Sequence, residues 1–244
     1  MLQIGPLLYA AMFSASVHAG AADDYLAKMD GIANSPQDTW FRFNAVTQEP
    51  GKAAREMVFE VQNQGEKRLV NFEGPSDMKG TRVLVLSRQQ MWVYLPAYRK
   101  VRRVASHVKQ QGFMGTTYSD EDMSTSHFGA AYTADVVKDD DSSVTLKLRP
   151  KADTKTSYGH LELDLRKDLM LPSELRYYNA DDQHVKTETR TDYDCASDVC
   201  TPAVLKMVDH TRNDAWTSLS VVERKVNQGV SASVFSVRNL ERGR

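Results

Sequence analysis

Residues 144–149 have the sequence Val-Thr-Leu-Lys-Leu-Arg, and residues 161–166 have the sequence Leu-Glu-Leu-Asp-Leu-Arg. Apolar and polar residues alternate strictly in both segments. Because successive side chains of a β-strand point to opposite faces, each segment has one buried face and one solvated face. Burial on one side is typical of antiparallel sheets. The two segments therefore predict a mainly β protein built on an antiparallel sheet.

Strand patterns continue through most of the chain on either side of these two segments. The further strands are predicted at residues 40–47, 56–63, 67–72, 81–86, 91–95, 131–138, 171–178, 185–193, 203–208 and 216–223. Turn-forming residues such as Glu-Pro-Gly-Lys at 49–52 separate them. About eleven or twelve short strands with no linker or repeat predict one strongly curved sheet, an incomplete and half-open barrel.

The amino terminus carries the pattern of an export signal. Residues 1–19 contain no Lys, Arg, Asp or Glu, have an apolar stretch at 7–13 and end in Val-His-Ala. This pattern predicts a signal peptide cleaved after Ala19. A membrane anchor is the alternative, but it needs about 20 continuous apolar residues, and polar residues interrupt this segment earlier. The domain is therefore expected to span 20–244, opening with a short amphipathic helix at 22–33.

The charge balance excludes one functional class. The chain has 31 basic and 32 acidic residues. A nucleic-acid-binding domain is usually clearly basic, so no nucleic-acid partner is expected. The apolar residues after position 19 are spread among short segments, and the mature protein is expected to be soluble.

The two cysteines, Cys195 and Cys200, lie close together in a turn-like segment. After an export signal, a disulfide is the expected state. A metal pair fits poorly because no histidine accompanies them, and a redox pair fits poorly because the spacing is not Cys-x-x-Cys.

Motifs for catalysis or metal binding are not found. The histidines after the signal are far apart in sequence, and none has the spacing of a metal-ligand pair: His107, His127, His160, His184 and His210. The acidic groups at 120–122 and 139–141 lack the alternating ligands of an EF-hand and are interpreted as solvated turns. No nucleophile elbow, phosphate loop or dinucleotide fingerprint occurs. We therefore expect neither an enzyme nor a cofactor.

The segment 105–128 has no strand periodicity. Ser119 is placed to cap a short helix that starts in the acidic residues, with Asp122 completing a capping box. Phe113 and Met114 lie between two glycines. Long loops in compact domains are usually functional or disordered, and these apolar residues predict docking onto another surface.

A basic run follows an aromatic segment at residues 91–98. One interpretation is a hairpin with a charged outer face. The other is a cationic edge that meets anionic lipid head groups, because basic side chains lay their stems on apolar surface while their charges stay in water. The residues of this run are Arg99, Lys100, Arg102 and Arg103.

Several motifs together resemble one family. They are Asp-Met-Lys-Gly-Thr at 77–81, Met-Trp-Val-Tyr-Leu-Pro-Ala at 91–97, Arg-Arg-Val at 102–104, Gly-Phe-Met-Gly at 112–115, and Val-Phe-Ser-Val-Arg-Asn-Leu-Glu-Arg at 234–242. In this order they resemble the LolA-like outer-membrane lipoprotein-sorting proteins, which are often paired with RND/MMPL exporters. The chain departs from the pattern at 116–118, where Thr-Thr-Tyr replaces the usual Ser-Asp-Phe.

The resemblance implies a half-open barrel whose concave apolar face, covered by helices and a loop lid, shelters acyl chains. Candidate lining or lid residues, each of which fits an ordinary core position equally well, are Trp40, Phe72, Leu84, Leu86, Trp92, Tyr94, Phe113, Met114, Tyr118 and Phe128. The Phe113–Met114 pair is the exception, because its flanking glycines make a static core role less natural than a lid role.

Two functional hypotheses follow from the resemblance. The first is a monomeric periplasmic carrier of lipid or lipoprotein acyl chains that contacts membranes transiently. It predicts a large apolar cavity. The second is an accessory subunit that docks on an inner-membrane RND-type exporter and carries no cargo. It predicts a well-packed interior and an exposed apolar patch.

Overall fold

The amino-terminal helix is longer than its sequence pattern predicts. A computed structural model describes residues 16–87, 90–104, 112–125, 127–196 and 199–242. Helix α1 spans Ser16–Ala33 and so begins before the predicted start at Ala22. The candidate cleavage point after Ala19 falls inside α1, and residues 1–15 of the predicted signal peptide lie outside the described residues.

The described residues form one antiparallel sheet of thirteen strands that is not closed into a barrel. The strands are β1 (Thr39–Gln48), β2 (Arg55–Gln64), β3 (Lys67–Gly74), β4 (Arg82–Ser87), β5 (Gln90–Leu95), β6 (Lys100–Arg103), β7 (Tyr132–Asp139), β8 (Ser143–Pro150), β9 (His160–Arg166), β10 (Leu171–Tyr178), β11 (His184–Ala196), β12 (Val199–Asp209) and β13 (Ala215–Val226). Their order across the sheet is β6-β5-β4-β3-β2-β1-β13-β12-β11-β10-β9-β8-β7, so the first and last strands of the chain pair in its middle. This confirms the predicted mainly β, open antiparallel architecture.

The two strictly alternating segments form neighbouring strands, β8 and β9. Their apolar residues meet in register, Val144 opposite Leu165 and Leu146 opposite Leu163. These four side chains have no exposed surface. The polar residues between them, Thr145 and Asp164, point to the other face, as the alternation predicts.

Two helices were not predicted, and strand β6 was predicted only as part of the basic hairpin. Strand β6 has mostly exposed basic residues and therefore no apolar alternation. As an edge strand it pairs only with β5, and charge on an edge discourages pairing with other chains. Helix α3 (Phe128–Ala131) has only four residues. Helix α4 (Val237–Arg242) lies at the carboxyl end.

Helix α2 (Asp120–Ser124) confirms the predicted capping box. The Ser119 hydroxyl accepts a hydrogen bond from the Asp122 amide at 3.2 Å, and the Asp122 carboxylate accepts one from the Ser119 amide at 2.7 Å. Both bonds satisfy amides that the first turn of a helix otherwise leaves unpaired.

Apolar side chains pack on both faces of the sheet. We call the face that carries α1 the inner face; its buried side chains, the main core, include Leu26, Met29, Phe43, Phe59, Val61, Val70, Phe72, Val83, Val85, Leu146, Leu163, Leu175, Met207 and Leu219. The opposite face, the outer face, carries α4 over a smaller cluster. This outer cluster consists of Leu69, Leu84, Phe235 and Leu240, with Leu86, Trp92 and Tyr94 packed against it.

Candidate functional site

A cavity of about 350 Å³ opens on the inner face. We call it the inner cavity. It lies between β1, β2, β12 and β13 on one side and α1 and the α2–α3 segment on the other. Its apolar lining includes Phe41, Phe43, Phe59, Val61, Leu205, Leu219, Val221, Met29, Met123 and Phe128.

Strand alternation explains why this lining is apolar. On β1, Thr39, Phe41 and Phe43 line the cavity, while Trp40 and Arg42, which alternate with them, do not. The inner residues continue a row of aromatic rings in which each centroid lies 5.4–6.3 Å from the next: Phe41, Phe43, Phe59, Phe72 and Phe113. Tilted rings at these separations attract one another, so the row forms a firm apolar wall.

The predicted lining residues fall into separate groups. Tyr118 and Phe128 line the inner cavity. Phe72, Phe113 and Met114 belong to, or pack against, the main core. The remaining predicted residues lie on the outer face, away from this cavity: Trp40, Leu84, Leu86, Trp92 and Tyr94. Trp40 packs under the Lys225 ammonium, whose Nζ lies 4.4 Å from the ring centroid.

The structure places Phe113 in the main core and packs Met114 against it. Phe113 is 9% exposed, and its ring centroid lies 6.3 Å from that of Phe72. The glycines serve a tight turn instead. Gly115 has a φ of +85°, and a Cβ on Gly112 would lie 2.0 Å from the Thr116 carbonyl oxygen. Phe113 is therefore buried as a core residue in this structure.

Backbone and hydroxyl groups attach this segment to the sheet. The Thr117 amide donates to Thr217 Oγ1 at 2.9 Å, and the Thr117 hydroxyl donates to the Met207 carbonyl at 2.9 Å. Both threonines are fully buried or nearly so. The predicted docking of the segment onto another surface is thus seen as docking onto the inner face of its own sheet.

A buried ion pair anchors α2 beside the inner cavity. The Asp122 carboxylate lies 2.7 Å from Lys186 Nζ on β11, and it accepts a hydrogen bond from the Tyr158 hydroxyl at 2.6 Å. The Asp122 side chain is 1% exposed and that of Lys186 is 10% exposed. The acidic group at 120–122 was interpreted as a solvated turn, but Asp122 has a structural role in the interior.

The other acidic group, at 139–141, is a solvated turn, as the sequence predicts. Asp139 forms an ion pair with Lys167, and Asp140 lies 2.5 Å from Lys138 Nζ on an exposed turn. Within the described residues, no group of three or more His, Cys, Asp or Glu side chains is arranged to hold a metal ion.

The histidines are less isolated in space than in sequence. His160 stacks on Tyr178 with ring centroids 4.2 Å apart, Tyr178 stacks on His184 at 5.1 Å, and His184 lies 4.6 Å from His210. Their spacing in sequence gives no sign of this arrangement, because adjacent strands bring them together. His127 lines the inner cavity, and His107 lies outside the described residues.

The predicted basic run forms the β5–β6 hairpin at an edge of the sheet. A turn at Pro96–Tyr98 joins the two strands, with Tyr98 64% exposed. All of its basic side chains are exposed: Arg99, Lys100, Arg102 and Arg103. Two of them lie over aromatic rings, Arg102 at 5.8 Å from the Tyr98 centroid and Arg103 at 5.9 Å from that of Trp92. The hairpin with a charged face is confirmed.

The predicted disulfide joins Cys195 and Cys200, which face each other in register across β11 and β12. The segment predicted as a turn is therefore the end of a long hairpin. Its residues Val199, Cys200, Thr201 and Pro202 line the inner cavity. No pattern in the sequence indicated this contact, because it depends on the length of the hairpin.

Removing the disulfide is expected to cost little stability. Replacing both cysteines by serine should lower the free energy of unfolding by about 2 kcal/mol, since the cross-link closes a loop of only about six residues. Chemical denaturation of the double variant against the oxidised protein measures this. A loss above about 4 kcal/mol would contradict the chain-entropy explanation.

Comparison with known proteins places the fold. A family model described as "-like: Uncharacterized protein" matches residues 64–242. No curated protein matches the chain. Among the described residues, no helix combines the length and apolar character needed to cross a bilayer.

Solved structures share the architecture across nearly the whole chain. A DUF1329 family protein from Desulfovibrio piger aligns with a TM-score of 0.85 at 23% identity, covering 91% of this chain and 99% of that one. A domain from Vibrio parahaemolyticus, named for outer membrane lipoprotein sorting, gives 0.81 at 22% identity, with 92% and 100% covered. A LolA superfamily protein from Nitrosomonas europaea gives 0.74 at 17% identity, with 92% and 100% covered. The fold is LolA-like, as the motifs predicted.

Proposed function

We propose that this chain, which belongs to the uncharacterized-protein-like family matched over residues 64–242, is a periplasmic carrier that holds the acyl chains of a lipid or lipoprotein in the inner cavity. Residues 1–19 are its signal peptide and residues 20–244 its carrier domain. Transfer towards the outer membrane is part of the proposal, supported by the names of structural relatives. The proposed role is binding and transfer of the cargo, without a catalytic step in the inner cavity.

The apolar lining of the inner cavity is the observation that carries this proposal. Ligand sites in proteins usually measure about 300–1,000 Å³, and this cavity of about 350 Å³ falls in that range. An acyl chain in water costs about 0.8 kcal/mol per methylene, so a carrier needs a dry wall more than it needs polar groups. The rings of Phe41, Phe43 and Phe59, which line the cavity, supply such a wall.

The disulfide supports the proposed compartment. Disulfides persist in oxidising environments such as the bacterial periplasm, and Cys195 and Cys200 are joined in this chain. The charge-free, apolar segment at the amino terminus supplies the matching export signal.

A fluorescent fatty acid tests the proposal. Delipidated protein should bind the probe saturably, with a rise in emission as the probe enters an apolar site, and unlabelled phospholipid should displace it. Emission that stays at the level seen with buffer, at protein concentrations up to about 100 µM, would argue against a carrier.

The basic hairpin is proposed to contact anionic membranes during loading or delivery. Each basic residue near an anionic surface contributes about 1 kcal/mol. The Arg99→Ser/Lys100→Ser variant should therefore bind anionic vesicles about 30-fold more weakly in a flotation assay. A matched variant, Lys52→Ser/Lys155→Ser, removes the same charge from exposed loops and should bind within about 2-fold of the parent. Equal losses in the two variants would show that only net charge matters.

The exporter-docking alternative predicts a packed interior, and the inner cavity favours the carrier instead. The large apolar side chains exposed in the described part of the chain lie on separate elements: Ile32, Tyr98, Val137 and Val222. We propose an RND/MMPL-type exporter as a donor of the cargo.

A further inference from the structure

One cation in the wall of the inner cavity has no counter-ion. Arg68 lies on β3 and shares its face with Val70 and Phe72 of the main core. Its Nε donates to the Asn63 side-chain oxygen at 2.8 Å, and its Nη1 donates to the Met123 carbonyl of α2. Both acceptors are neutral. Within the part of the chain that the structure describes, no carboxylate lies within ion-pair distance of this guanidinium.

The second guanidinium in the wall is already paired. Arg190 Nε donates to the Glu188 carboxylate at 2.8 Å, and the other oxygen of that carboxylate accepts from the Tyr177 hydroxyl at 2.8 Å. The Glu188 side chain is 4% exposed, so this pair is internal. Glu188 is therefore committed to Arg190 and Tyr177.

The remaining carboxylates of the wall are committed as well. Asp30 accepts from the amides of Phe128 and Gly129 at 3.0 and 2.7 Å. Asp38 accepts from three successive amides at 228–230, at 2.8–3.1 Å. Asp122 is paired with Lys186. None of these carboxylates forms an ion pair with Arg68.

The surroundings of Arg68 disfavour a lone cation. Burial and the nearby charge of Arg190 lower the pKa of the Arg68 guanidinium to about 10, so it is still positively charged at neutral pH. Arg68 is partly buried, and a partly buried cation requires an anionic partner for its charge to be fully compensated. An anion in the cavity would meet that requirement.

A buried donor faces the same cavity. Tyr118 lines it and is 4% exposed. Within the described residues, its hydroxyl has no hydrogen-bond partner. Burial raises the pKa of this phenol well above its ordinary value, so the group remains a protonated donor. An unpaired buried hydroxyl costs free energy that a ligand oxygen would recover.

We propose that Arg68 and Tyr118 form a site in the inner cavity for the oxyanion of an acidic lipid headgroup, a phosphate or a carboxylate. The inference rests on the proposed carrier function and names its ligand class as anionic lipids. With Nε and one Nη1 hydrogen already used, Nη2 and the second Nη1 hydrogen remain to donate to such an oxyanion, and the phenol adds a further donor. The apolar lining beside them selects a headgroup that carries acyl chains over a free anion.

Native mass spectrometry with chain-matched lipids tests the site. Delipidated protein is mixed with dimyristoyl phosphatidylglycerol, dimyristoyl phosphatidylcholine and dimyristoylglycerol at equal concentrations. The parent protein should prefer the anionic lipid at least 10-fold over the other two. Arg68→Gln should reduce this preference below about 2-fold while dimyristoylglycerol still binds.

Two further variants keep the result interpretable. Tyr118→Phe removes only the hydroxyl and should reduce the preference for the anionic lipid about 3- to 10-fold. This variant tests the site even if Arg68→Gln disturbs α2 by losing the hydrogen bond to the Met123 carbonyl. Arg42→Gln removes an arginine from the outer face of β1, where Arg42 Nη2 lies 2.8 Å from the Glu73 carboxylate, and should leave the preference unchanged.

Each contrary result has a separate meaning. Equal binding of the three lipids by the parent protein would overturn the headgroup site and leave the carrier function standing. Binding of none of them would overturn both. Inorganic phosphate or glycerol phosphate that displaces phosphatidylglycerol at comparable concentration would show a free-anion site and overturn the lipid assignment.

Discussion

The Asp122→Ala variant is expected to lose about 3–5 kcal/mol of the free energy of unfolding. Removing the carboxylate leaves the ammonium of Lys186, whose side chain is 10% exposed, without its partner at 2.7 Å. Breaking one half of a buried ion pair costs about this much because the remaining charge is uncompensated. The variant also loses the capping bond to the Ser119 amide and the bond from Tyr158.

Chemical denaturation measures the loss, and a surface pair supplies the control. Asp168 pairs with Arg166 at 2.6 Å, with side chains 60% and 45% exposed. Asp168→Ala should cost at most about 1 kcal/mol, because exposed pairs contribute little. A cost below about 1 kcal/mol for Asp122→Ala would show that the ion pair does not hold α2 on the sheet.

The Val221→Trp variant is expected to bind acyl chains about 50-fold more weakly than the parent. Val221 lines the inner cavity, so an indole at this position occupies space that the ligand needs. Excluding roughly three methylenes at about 0.8 kcal/mol each costs about 2.4 kcal/mol of binding free energy. Titration with a fluorescent fatty acid measures the change.

The neighbouring residue provides a matched control. Val222 on the same strand is 52% exposed, so Val222→Trp adds the same indole outside the cavity. It should bind the probe within about 2-fold of the parent. If the two variants bind equally well, the ligand does not occupy the inner cavity.

Strand alternation allowed the sheet to be predicted from the sequence. It did not show which face of the sheet lines the inner cavity. Leu84 and Val85 illustrate the reason. Both are buried and apolar, yet Val85 joins the main core while Leu84 joins the outer cluster under α4. Helix α4 was not predicted, so nothing in the sequence showed that both faces of β4 are covered. The assignment of Leu84, Leu86, Trp92 and Tyr94 to the cavity followed from this ambiguity.

The interior charges were harder to predict than the apolar wall. Asp122 and Lys186 are 64 positions apart in the chain, and Arg68 and Met123 are 55 apart. No local pattern links such pairs, because they meet only when α2 folds onto the inner face. The capping box of α2 was predicted because its residues are neighbours in sequence.

Native mass spectrometry of the protein purified from the periplasm, combined with organic extraction, tests the carrier claim most directly. The account predicts a species with a bound lipid mass, an extract that contains an acylated molecule, and loss of that mass in Val221→Trp but not in Val222→Trp. A bare protein mass after purification, and again after incubation with host lipids, would contradict it.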